Sequence, residues 1–463
     1  MRYVSTRGRA PELGFTDVLL GGLATDGGLY VPVEWPVLPA AVAGATYAQR
    51  AAQIVQLFVG ADLTPATVQR LCDEAYETFA HPDVVPLVKM RDGDYLQELF
   101  HGPTLAFKDI ALQLVGRMFD EVLRKRGQRV TVVGATSGDT GSAAIDGVKN
   151  CANVDIVILF PNGRTSDVQR RQMTTVDSPN VRVVAVDGTF DDCQDLVKAM
   201  FNDADFRERM QLSAVNSINW ARVMAQIVYY AVATDHLASS KQGLINVCVP
   251  SGNFGNIFSG WIAQRMGAPI DQLVVASNAN DILERFFNHN EMTTAPVVPS
   301  LSPSMDIQVS SNFERLLFEI NGRDGGMTAE QLQRFRTTGR LSIEPDQRSE
   351  FIEGRFQAAR LDDAETLGVM SQTYAESGML LDPHSAVAVG GTAKLRAAGS
   401  LHGTTVTLAT AHPAKFPDAV EQATGIRPPL PAHLANLMEL PEHMTVLPND
   451  LAAIEKFVTT TFL

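Results

Sequence analysis

From about residue 95 onward, short runs of β-branched and other apolar residues alternate with segments of helical periodicity. This alternation is typical of βα units that build a mostly parallel sheet, and the near-continuous apolarity of each run indicates helices on both faces. The sequence therefore predicts a layered α/β architecture. The predicted strands are RVTVVGA (129–135), VDIVILF (154–160), NVRVVAV (180–186), LINVCVP (244–250), DQLVVAS (271–277) and TVTLATA (405–411).

The helical pattern is clearest directly after Lys108, and Gly127 ends it. Apolar residues recur there on one face at Ile110, Leu114, Met118 and Val122. A second helix is predicted from Trp220 to Leu237. The first part of the chain lacks the alternation, so we expect an N-terminal unit over residues 1–90 and an α/β region over 91–463.

Within the α/β region we expect two parts. The smaller spans roughly 100–215 and the larger roughly 216–463, and an insertion is expected near 291–348, where the alternation breaks again.

The composition narrows the class of protein. Of 463 residues, 45% are apolar and 19% charged, which predicts a globular chain. The net charge of −14 argues against a nucleic-acid surface, because phosphate backbones need clustered Lys and Arg. An anionic ligand must therefore be bound by a local site.

Cysteine usage and hydropathy bear on the compartment. The four cysteines are scattered without metal-ligand spacing, so neither a disulfide framework nor a metal site is expected. The N-terminal residues lack the apolar core of a signal peptide, and no apolar run is long enough to span a bilayer. We therefore expect a cytoplasmic protein without a membrane partner.

Two glycine-rich turns follow predicted strands: GATSGDTGSAA (134–144) and PSGNFGN (250–256). Free backbone N–H groups at a helix start, with no Cβ in the way, allow an anion to approach closely. Neither turn matches a P-loop or a dinucleotide fingerprint, which disfavours nucleotide binding. Each turn alone is equally well explained as a tight strand-to-helix connection.

Lys108 is isolated between apolar residues and a predicted helix, in the stretch HGPTLAFKDIALQL. Taken alone, it fits a surface lysine whose stem lies along apolar side chains. An ammonium ion in a first helical turn is opposed by the helix dipole, however, and an apolar setting lowers the pKa of an amine. A reactive lysine beside two anion-binding turns is the combination that pyridoxal phosphate requires.

Several further segments make the resemblance specific, and it covers nearly the whole chain. They are YVSTRG, DGGLYVP, FHGPTLAFKD, ATSGDTG, NSINWARVMAQ, VPSGNFGN, SPSMDIQVSSNFERLLFE and LATAHPAKFPDAVE. In this order they closely resemble the threonine synthase family of the longer bacterial and fungal type. The resemblance implies a fold-type-II pyridoxal-phosphate enzyme, similar to the β subunit of tryptophan synthase, with an extra N-terminal domain.

The implied activity converts O-phospho-L-homoserine and water into L-threonine and phosphate by γ-elimination and β-addition. Lys108 matches the Schiff-base lysine and the catalytic acid and base. The cofactor phosphate would be held by Ser251, Gly252, Asn253, Phe254, Gly255 and Asn256, and Thr410 would face the pyridine nitrogen. Substrate would be bound by Thr136, Ser137, Gly138, Asp139, Thr140, Asn216, Ser217 and Arg222, the last three at its phosphate.

Some residues keep a second interpretation. Asp139 also fits a helix N-cap before TGSAA, and related enzymes often carry asparagine at its position. Arg222 also fits a charge on a helix surface. Lys415 is either a surface lysine or a second anion contact. The histidines His101, His384 and His412 fit the core as well as proton transfer.

Other functions remain open on the sequence. The nearest is a phospholyase of the same family that yields 2-oxobutyrate, ammonia and phosphate, and a serine or threonine dehydratase is a weaker alternative. From a different class, a catalytically silent pyridoxal-phosphate-binding protein fits the same cofactor residues. The resemblance is compatible with a monomer or a homodimer.

Overall fold

The computed structural model of the chain describes residues 1–214, 216–239 and 243–462. The strands are β1 Arg2–Ser5, β2 Leu13–Gly14, β3 Tyr30–Pro32, β4 Leu87–Arg91, β5 Asp94–Glu98, β6 Val130–Ala135, β7 Val154–Pro161, β8 Val181–Asp187, β9 Leu212–Ser213, β10 Ile245–Pro250, β11 Ile270–Ser277, β12 Met292–Thr293, β13 Arg340–Leu341, β14 Phe356–Arg360, β15 Thr404–Ala409 and β16 Thr445–Pro448.

The α-helices are α1 Phe15–Gly21, α2 Tyr47–Val59, α3 Pro65–Tyr76, α4 Lys108–Arg126, α5 Asp139–Val148, α6 Asp167–Thr174, α7 Phe190–Asn202, α8 Ala204–Met210, α9 Trp220–Ser239, α10 Gly255–Arg265, α11 Ile282–His289, α12 Phe313–Ile320, α13 Gly325–Thr338, α14 Pro345–Phe351, α15 Asp363–Ser377, α16 Pro383–Ala397, α17 Pro417–Thr424 and α18 Leu451–Phe462.

Two mostly parallel sheets carry the α/β region, as the sequence predicts. The larger has the strand order β14-β11-β10-β15-β5-β4, and only its β4–β5 pair is antiparallel. The smaller has the order β16-β8-β7-β6-β9 and is parallel throughout. All six predicted strands are present, each displaced by no more than two residues at an end.

The C-terminal part of the chain crosses between these sheets. Strand β16 pairs with β8, and Ile454 and Val458 of α18 pack into the core of the smaller sheet. A division at residue 216 that assigns everything after it to the larger part is therefore wrong for these last elements. Periodicity alone does not identify the partner of a strand, because strand pairing depends on long-range packing.

The N-terminal unit has its own antiparallel sheet, with the order β2-β1-β3. It does not form a separate core, because Tyr3, Phe15 and Phe58 belong to the same buried cluster as Trp220 of α9. Trp220 Nε1 donates a hydrogen bond of 3.1 Å to the Tyr3 hydroxyl. The unit is thus packed directly against the helix that carries Arg222.

Helices α4 and α5 pack with almost no space between their backbones. A Cβ added to Gly116 would collide with the Gly147 carbonyl oxygen, and one added to Gly147 would lie 2.5 Å from the Leu112 oxygen. Glycine at both positions therefore allows the close approach. Lys108 begins α4 and Asp139 begins α5, and the two side chains are in contact.

Candidate active site

Lys108 lies at the carboxyl-terminal edge of the larger sheet, at the end of the loop that follows β5. That loop is bonded to the residues after β15, since Phe107 N–H donates to the Thr410 carbonyl at 2.9 Å and His412 N–H donates to Leu105 at 3.0 Å. Lys108 is buried, with Nζ 5.0 Å from the centre of the Phe107 ring. The surface interpretation of this lysine is therefore wrong.

Burial lowers the pKa of the Lys108 amine. The carboxylate of Asp139 acts in the opposite direction, but the charges of Lys415 and Arg222 lower the pKa further. A buried amine with two cations nearby is poised to lose its proton and act as a nucleophile.

Asp139 is the first residue of α5 and Gly138 is its N-cap, so the N-cap interpretation of Asp139 is wrong. Its buried carboxylate accepts from Lys108 Nζ at 3.2 Å, Gln169 Nε2 at 2.9 Å and the Ser304 hydroxyl at 3.2 Å. Burial acts to raise the pKa of Asp139, but Lys415, Lys108 and His384 hold it well below the usual range. The group is an anion between two lysines.

Lys415 is fully buried, so it is not a surface lysine. Its Nζ donates to the Thr104 carbonyl at 2.7 Å and to Gln172 Oε1 at 2.9 Å, and it lies 3.1 Å from Asp139 Oδ1. The sequence gives little sign of this burial, because the lysine occurs in the polar-looking segment HPAKF.

The loop after β6 is shaped by Thr136, whose buried hydroxyl accepts from the N–H groups of Gly138 and Gly141, both at 2.9 Å. Gly138 has φ 144°, a conformation that favours glycine. Ser137 is exposed and Thr140 half-buried at the open side of the loop. The loop thus presents polar groups beside the Lys108–Asp139 pair.

The loop after β10 leads into α10. Phe254 has φ 63° directly before the helix, and a Cβ on Gly252 would lie 3.0 Å from Met305 Cα and from the Ser304 oxygen. Among the described residues, the buried Ser251 Oγ and Asn256 Nδ2 have no hydrogen-bond partner. Asn256 Oδ1 instead accepts from the hydroxyls of Tyr229 and Tyr230, which fixes the orientation of the amide.

These features fit the phosphate of a bound cofactor. Two buried polar groups lack partners, and the N-terminus of α10 supplies backbone N–H groups and the positive end of a helix dipole. The loop is supported from behind, since the Asn253 carbonyl accepts from Asn312 N–H at 3.1 Å and the Asn253 side chain accepts from Ser311 at 3.1 Å. A dianion would satisfy the unpaired donors.

Thr410 directly follows β15 and is buried. Its N–H donates to the Ser385 hydroxyl at 3.2 Å, and its carbonyl accepts from Phe107, the neighbour of Lys108. Thr410 is thus fixed between α16 and the start of α4, at the same sheet edge as the lysine.

Arg222 lies in the first turn of α9 and is buried, which excludes the interpretation as a helix-surface charge. Within the described ranges its Nε and Nη1 have no hydrogen-bond partner. Burial lowers the pKa of its guanidinium to about 10. An unpaired buried cation is unfavourable unless a ligand neutralises it, so this side chain marks an anion site.

Asn216 and Ser217 lie in the turn before α9. The Asn216 side-chain oxygen accepts from Ile218 N–H at 3.2 Å, and the Ser217 carbonyl accepts from Asn312 Nδ2 at 3.1 Å. The side chain of Asn216 is exposed and that of Ser217 half-buried. Both backbones are therefore fixed beside α9.

The three histidines differ. His384 is buried, with Nδ1 2.9 Å from Asp382 Oδ1, and its Nε2 accepts from Ser304 N–H at 3.3 Å. Burial, with a contribution from His101, lowers the pKa of His412 to about 4. His101 is half-buried and pairs with Glu98 at 2.7 Å.

The predicted insertion contains site residues that the sequence analysis missed. Ser304 contacts Asp139, Ser310 donates to the Gly252 carbonyl at 2.5 Å, and Asn312 bonds the loops of Ser217 and Asn253. The motif SPSMDIQVSSNFERLLFE was the available signal, although it identified no individual residue. The segment from Ser300 to Asn312 thus lies across both glycine-rich loops.

The described residues contain neither a metal-binding cluster nor a helix that could span a membrane. In these residues no group of three or more His, Cys, Asp or Glu side chains is arranged to hold a metal ion. None of the described helices combines the length and apolarity needed to cross a membrane.

Comparison with known proteins agrees with this geometry. The sequence profile described as "Pyridoxal-phosphate dependent enzyme" matches residues 85–345, the range that holds Lys108 and both glycine-rich loops. The fold and site therefore define a pyridoxal-phosphate-dependent enzyme of fold type II. The profiles "Threonine synthase N terminus" and "Threonine synthase, C-terminal" match residues 2–76 and 385–458.

Full-length relatives define the family. The threonine synthase of Pseudomonas aeruginosa is 51% identical, with coverage of 99% of this chain and 98% of the relative. A crystal structure of PLP-bound threonine synthase from Brucella melitensis has a TM-score of 0.96 at 49% identity and covers 100% and 99% of the two chains. The crystal structure of threonine synthase from yeast has a TM-score of 0.94 at 37% sequence identity, and the match covers 99% of this chain and 98% of the yeast chain. The chain belongs to the threonine synthase family.

Proposed function

We propose that this chain converts O-phospho-L-homoserine and water into L-threonine and inorganic phosphate with pyridoxal phosphate bound at Lys108. The observation that carries the substrate assignment is Arg222, a buried guanidinium with two nitrogens that have no partner among the described residues. Its charge also lowers the pKa of Lys108, so the two groups lie within electrostatic range of each other. A substrate with an amine at one end and a phosphate at the other can engage both groups at once.

The cofactor would be held by the residues described above. Ser251, Asn256 and the N-terminus of α10 offer donors to its phosphate, and Thr410 offers a neutral hydroxyl near the ring. When bound, pyridoxal phosphate withdraws electrons from the substrate Cα and so permits removal of its proton.

The protein's own groups perform the remaining tasks. The Lys108 amine would take the proton from Cα and return protons later, because it is buried beside Asp139, whose carboxylate also accepts from Ser304. The loop from Thr136 to Thr140 would orient the substrate carboxylate. Arg222 would neutralise the phosphate as the bond to Cγ breaks, which favours its departure.

Domain roles follow from the same assignment. Residues 1–90 would be a supporting domain, and residues 91–463 would carry the chemistry on the two sheets. The profile match over 2–76 and the separate antiparallel sheet β2-β1-β3 support this division. We further propose a cytoplasmic location, on the basis of the scattered free cysteines.

The test is one reaction followed by two readouts. The absorbance of the purified chain is recorded before and after O-phospho-L-homoserine is added, and threonine, phosphate and 2-oxobutyrate are quantified in the same sample. We expect an imine band and equal amounts of threonine and phosphate. Lys108→Ala should abolish both, whereas Lys125→Ala, at the exposed end of the same helix, should abolish neither.

The other outcomes are equally informative. Formation of phosphate and 2-oxobutyrate without threonine would show that the chain is a phospholyase and not a threonine synthase. A coloured protein without turnover would indicate the silent cofactor-binding protein, and an absence of colour would refute the cofactor assignment.

A further inference from the structure

Lys415 is a buried cation that the proposed reaction does not yet use. An ammonium group has three N–H donors, and three acceptors surround this one: the Thr104 carbonyl, Gln172 Oε1 and Asp139 Oδ1. Two of these contacts are hydrogen bonds and the third is an ion pair, so the nitrogen faces protein acceptors on three sides. Lys415 therefore differs from Arg222, whose nitrogens are partly unpaired.

Asp139 is equally saturated. Its Oδ1 atom accepts from Gln169 and lies against Lys415, and its Oδ2 atom accepts from Lys108 and Ser304. The side-chain nitrogens of two lysines thus share one buried carboxylate. Lys415 and Asp139 together are neutral, so a proton on Lys108 is the surplus positive charge of the cluster.

Several elements surround Lys108 and Asp139, and each contributes a charged or titratable group. Asp139 comes from α5, Arg222 from α9, His384 from α16, and Lys415 from the short turn after β15. On α4 itself, Asp109 is turned away, because its carboxylate accepts from the Thr104 N–H and hydroxyl at 2.8 and 2.6 Å. The carbonyl of Thr104 also accepts from Lys415, so Thr104, in the loop before Lys108, is hydrogen-bonded to both Asp109 and Lys415.

We propose that Lys415 is a positioning residue that neutralises Asp139 and thereby keeps Lys108 as the free amine that condenses with the cofactor aldehyde. The inference rests on the proposed function, because it requires Lys108 to be the cofactor lysine. In the condensation the amine nitrogen bonds to the aldehyde carbon and the aldehyde oxygen leaves as water, without a change in oxidation state. Without Lys415, Asp139 would hold Lys108 as an ammonium ion, which has no lone pair to attack.

The experiment measures capture of pyridoxal phosphate by the full chain freed of cofactor. At a series of pH values the imine is reduced with borohydride, and the modified Lys108 peptide is quantified by mass spectrometry. Lys415→Met should move the midpoint of capture upward by about one pH unit, which makes capture about tenfold slower below the midpoint. Lys125→Met, which removes an exposed charge, should leave the midpoint unchanged.

Two further variants separate charge from packing. Asp139→Asn should move the midpoint downward, because it removes the anion that favours the protonated amine. The double variant should lie between the two single variants, since it removes both charges. If Lys415→Met does not fold, Asp139→Asn decides alone, and an unchanged or raised midpoint in that variant would overturn the proposal.

The remaining outcomes are distinct. A folded Lys415→Met protein that captures less cofactor with the wild-type midpoint would make Lys415 merely structural and overturn the proposal. Failure of the wild-type chain to modify Lys108 at any pH would instead refute the proposed function itself.

Discussion

The guanidinium of Arg7 forms a two-point ion pair with the carboxylate of Glu314, through Nε at 3.0 Å and Nη2 at 2.8 Å. Glu314 lies on α12, and its neighbour Arg315 donates to the carbonyls of Tyr30 and Ile218 at 3.1 and 2.7 Å. The N-terminal unit therefore holds α12, and α12 in turn holds the turn that precedes Arg222. This continuity gives the N-terminal unit a role in positioning the turn that leads to Arg222.

Arg7→Met is expected to lower the free energy of unfolding by about 3 kcal/mol, because it leaves the carboxylate of Glu314 buried without its partner. Denaturant unfolding measures the loss. The control is Arg2→Met, which breaks a pair whose side chains are 56% and 57% exposed and should cost less than about 0.5 kcal/mol. If both variants lost the same free energy of unfolding, the Arg7–Glu314 ion pair would contribute no more to stability than an exposed pair.

Arg222→Met should make the ligand-free protein more stable, by about 1–3 kcal/mol, since it removes a buried cation whose Nε and Nη1 have no partner among the described residues. Turnover should fall about a hundredfold to a thousandfold, on the order of other losses of transition-state charge stabilisation. Thermal unfolding and steady-state rates test the two parts.

Added inorganic phosphate supplies a companion test for Arg222. In the protein loaded with cofactor, whose phosphate would occupy the loop after β10, it should raise the melting temperature of the wild type and leave that of Arg222→Met unchanged, because a ligand stabilises only a state that binds it. Arg334→Met, which removes an exposed arginine on α13, should behave as wild type. A phosphate response that survives Arg222→Met would place the anion elsewhere.

Gly252→Ala should weaken cofactor binding about tenfold or more and lower stability, because its Cβ would press on Met305 Cα and the Ser304 oxygen at 3.0 Å. Gly368→Ala is the matched control, since an added Cβ there would meet no described atom within 4 Å beyond its chain neighbours and the backbone of its own helix. In the middle of α15 that change should stabilise the protein by about 0.5–1 kcal/mol. Equilibrium dialysis of the cofactor and thermal unfolding provide the measurements.

Asp109 predicts a pH dependence of stability. Burial raises the pKa of its carboxyl from 3.8 to about 7, despite hydrogen bonds from Thr104. As pH rises from about 4 to 7 the unfolded chain loses this proton before the native state does, so the native state loses stability. Relative to wild type, Asp109→Asn should gain up to about 4 kcal/mol over this interval. Denaturant unfolding at several pH values measures this gain, and a difference in unfolding free energy that stays constant from about pH 4 to 7 would contradict the prediction.

The parts of this fold that the sequence predicts are those with local signals. Apolar runs identify the six strands, Gly127 ends α4 as expected, and two glycine-rich turns appear at strand-to-helix junctions. Each depends on residues within a few positions of one another. Parallel pairing follows from the alternation, because a crossover helix between strands requires it.

The parts that the sequence does not predict depend on contacts between distant segments. In the sequence Lys415 resembles a surface lysine. The fold buries it by bringing Thr104, Gln172 and Asp139 around it from three other segments of the chain. Ser304 likewise acquires its place only through His384 and Asp139. Local propensity carries no information about which charges will share a buried space.

Strand β16 also has a consequence for synthesis of the chain. Strand β8 must wait with one edge unpaired until the ribosome has added every residue up to β16, its parallel partner. Unpaired edges invite association with other chains, and parallel pairing over a long separation is slow. Newly made chains are therefore most vulnerable to aggregation before β16 emerges, and chaperones would be needed most in that interval.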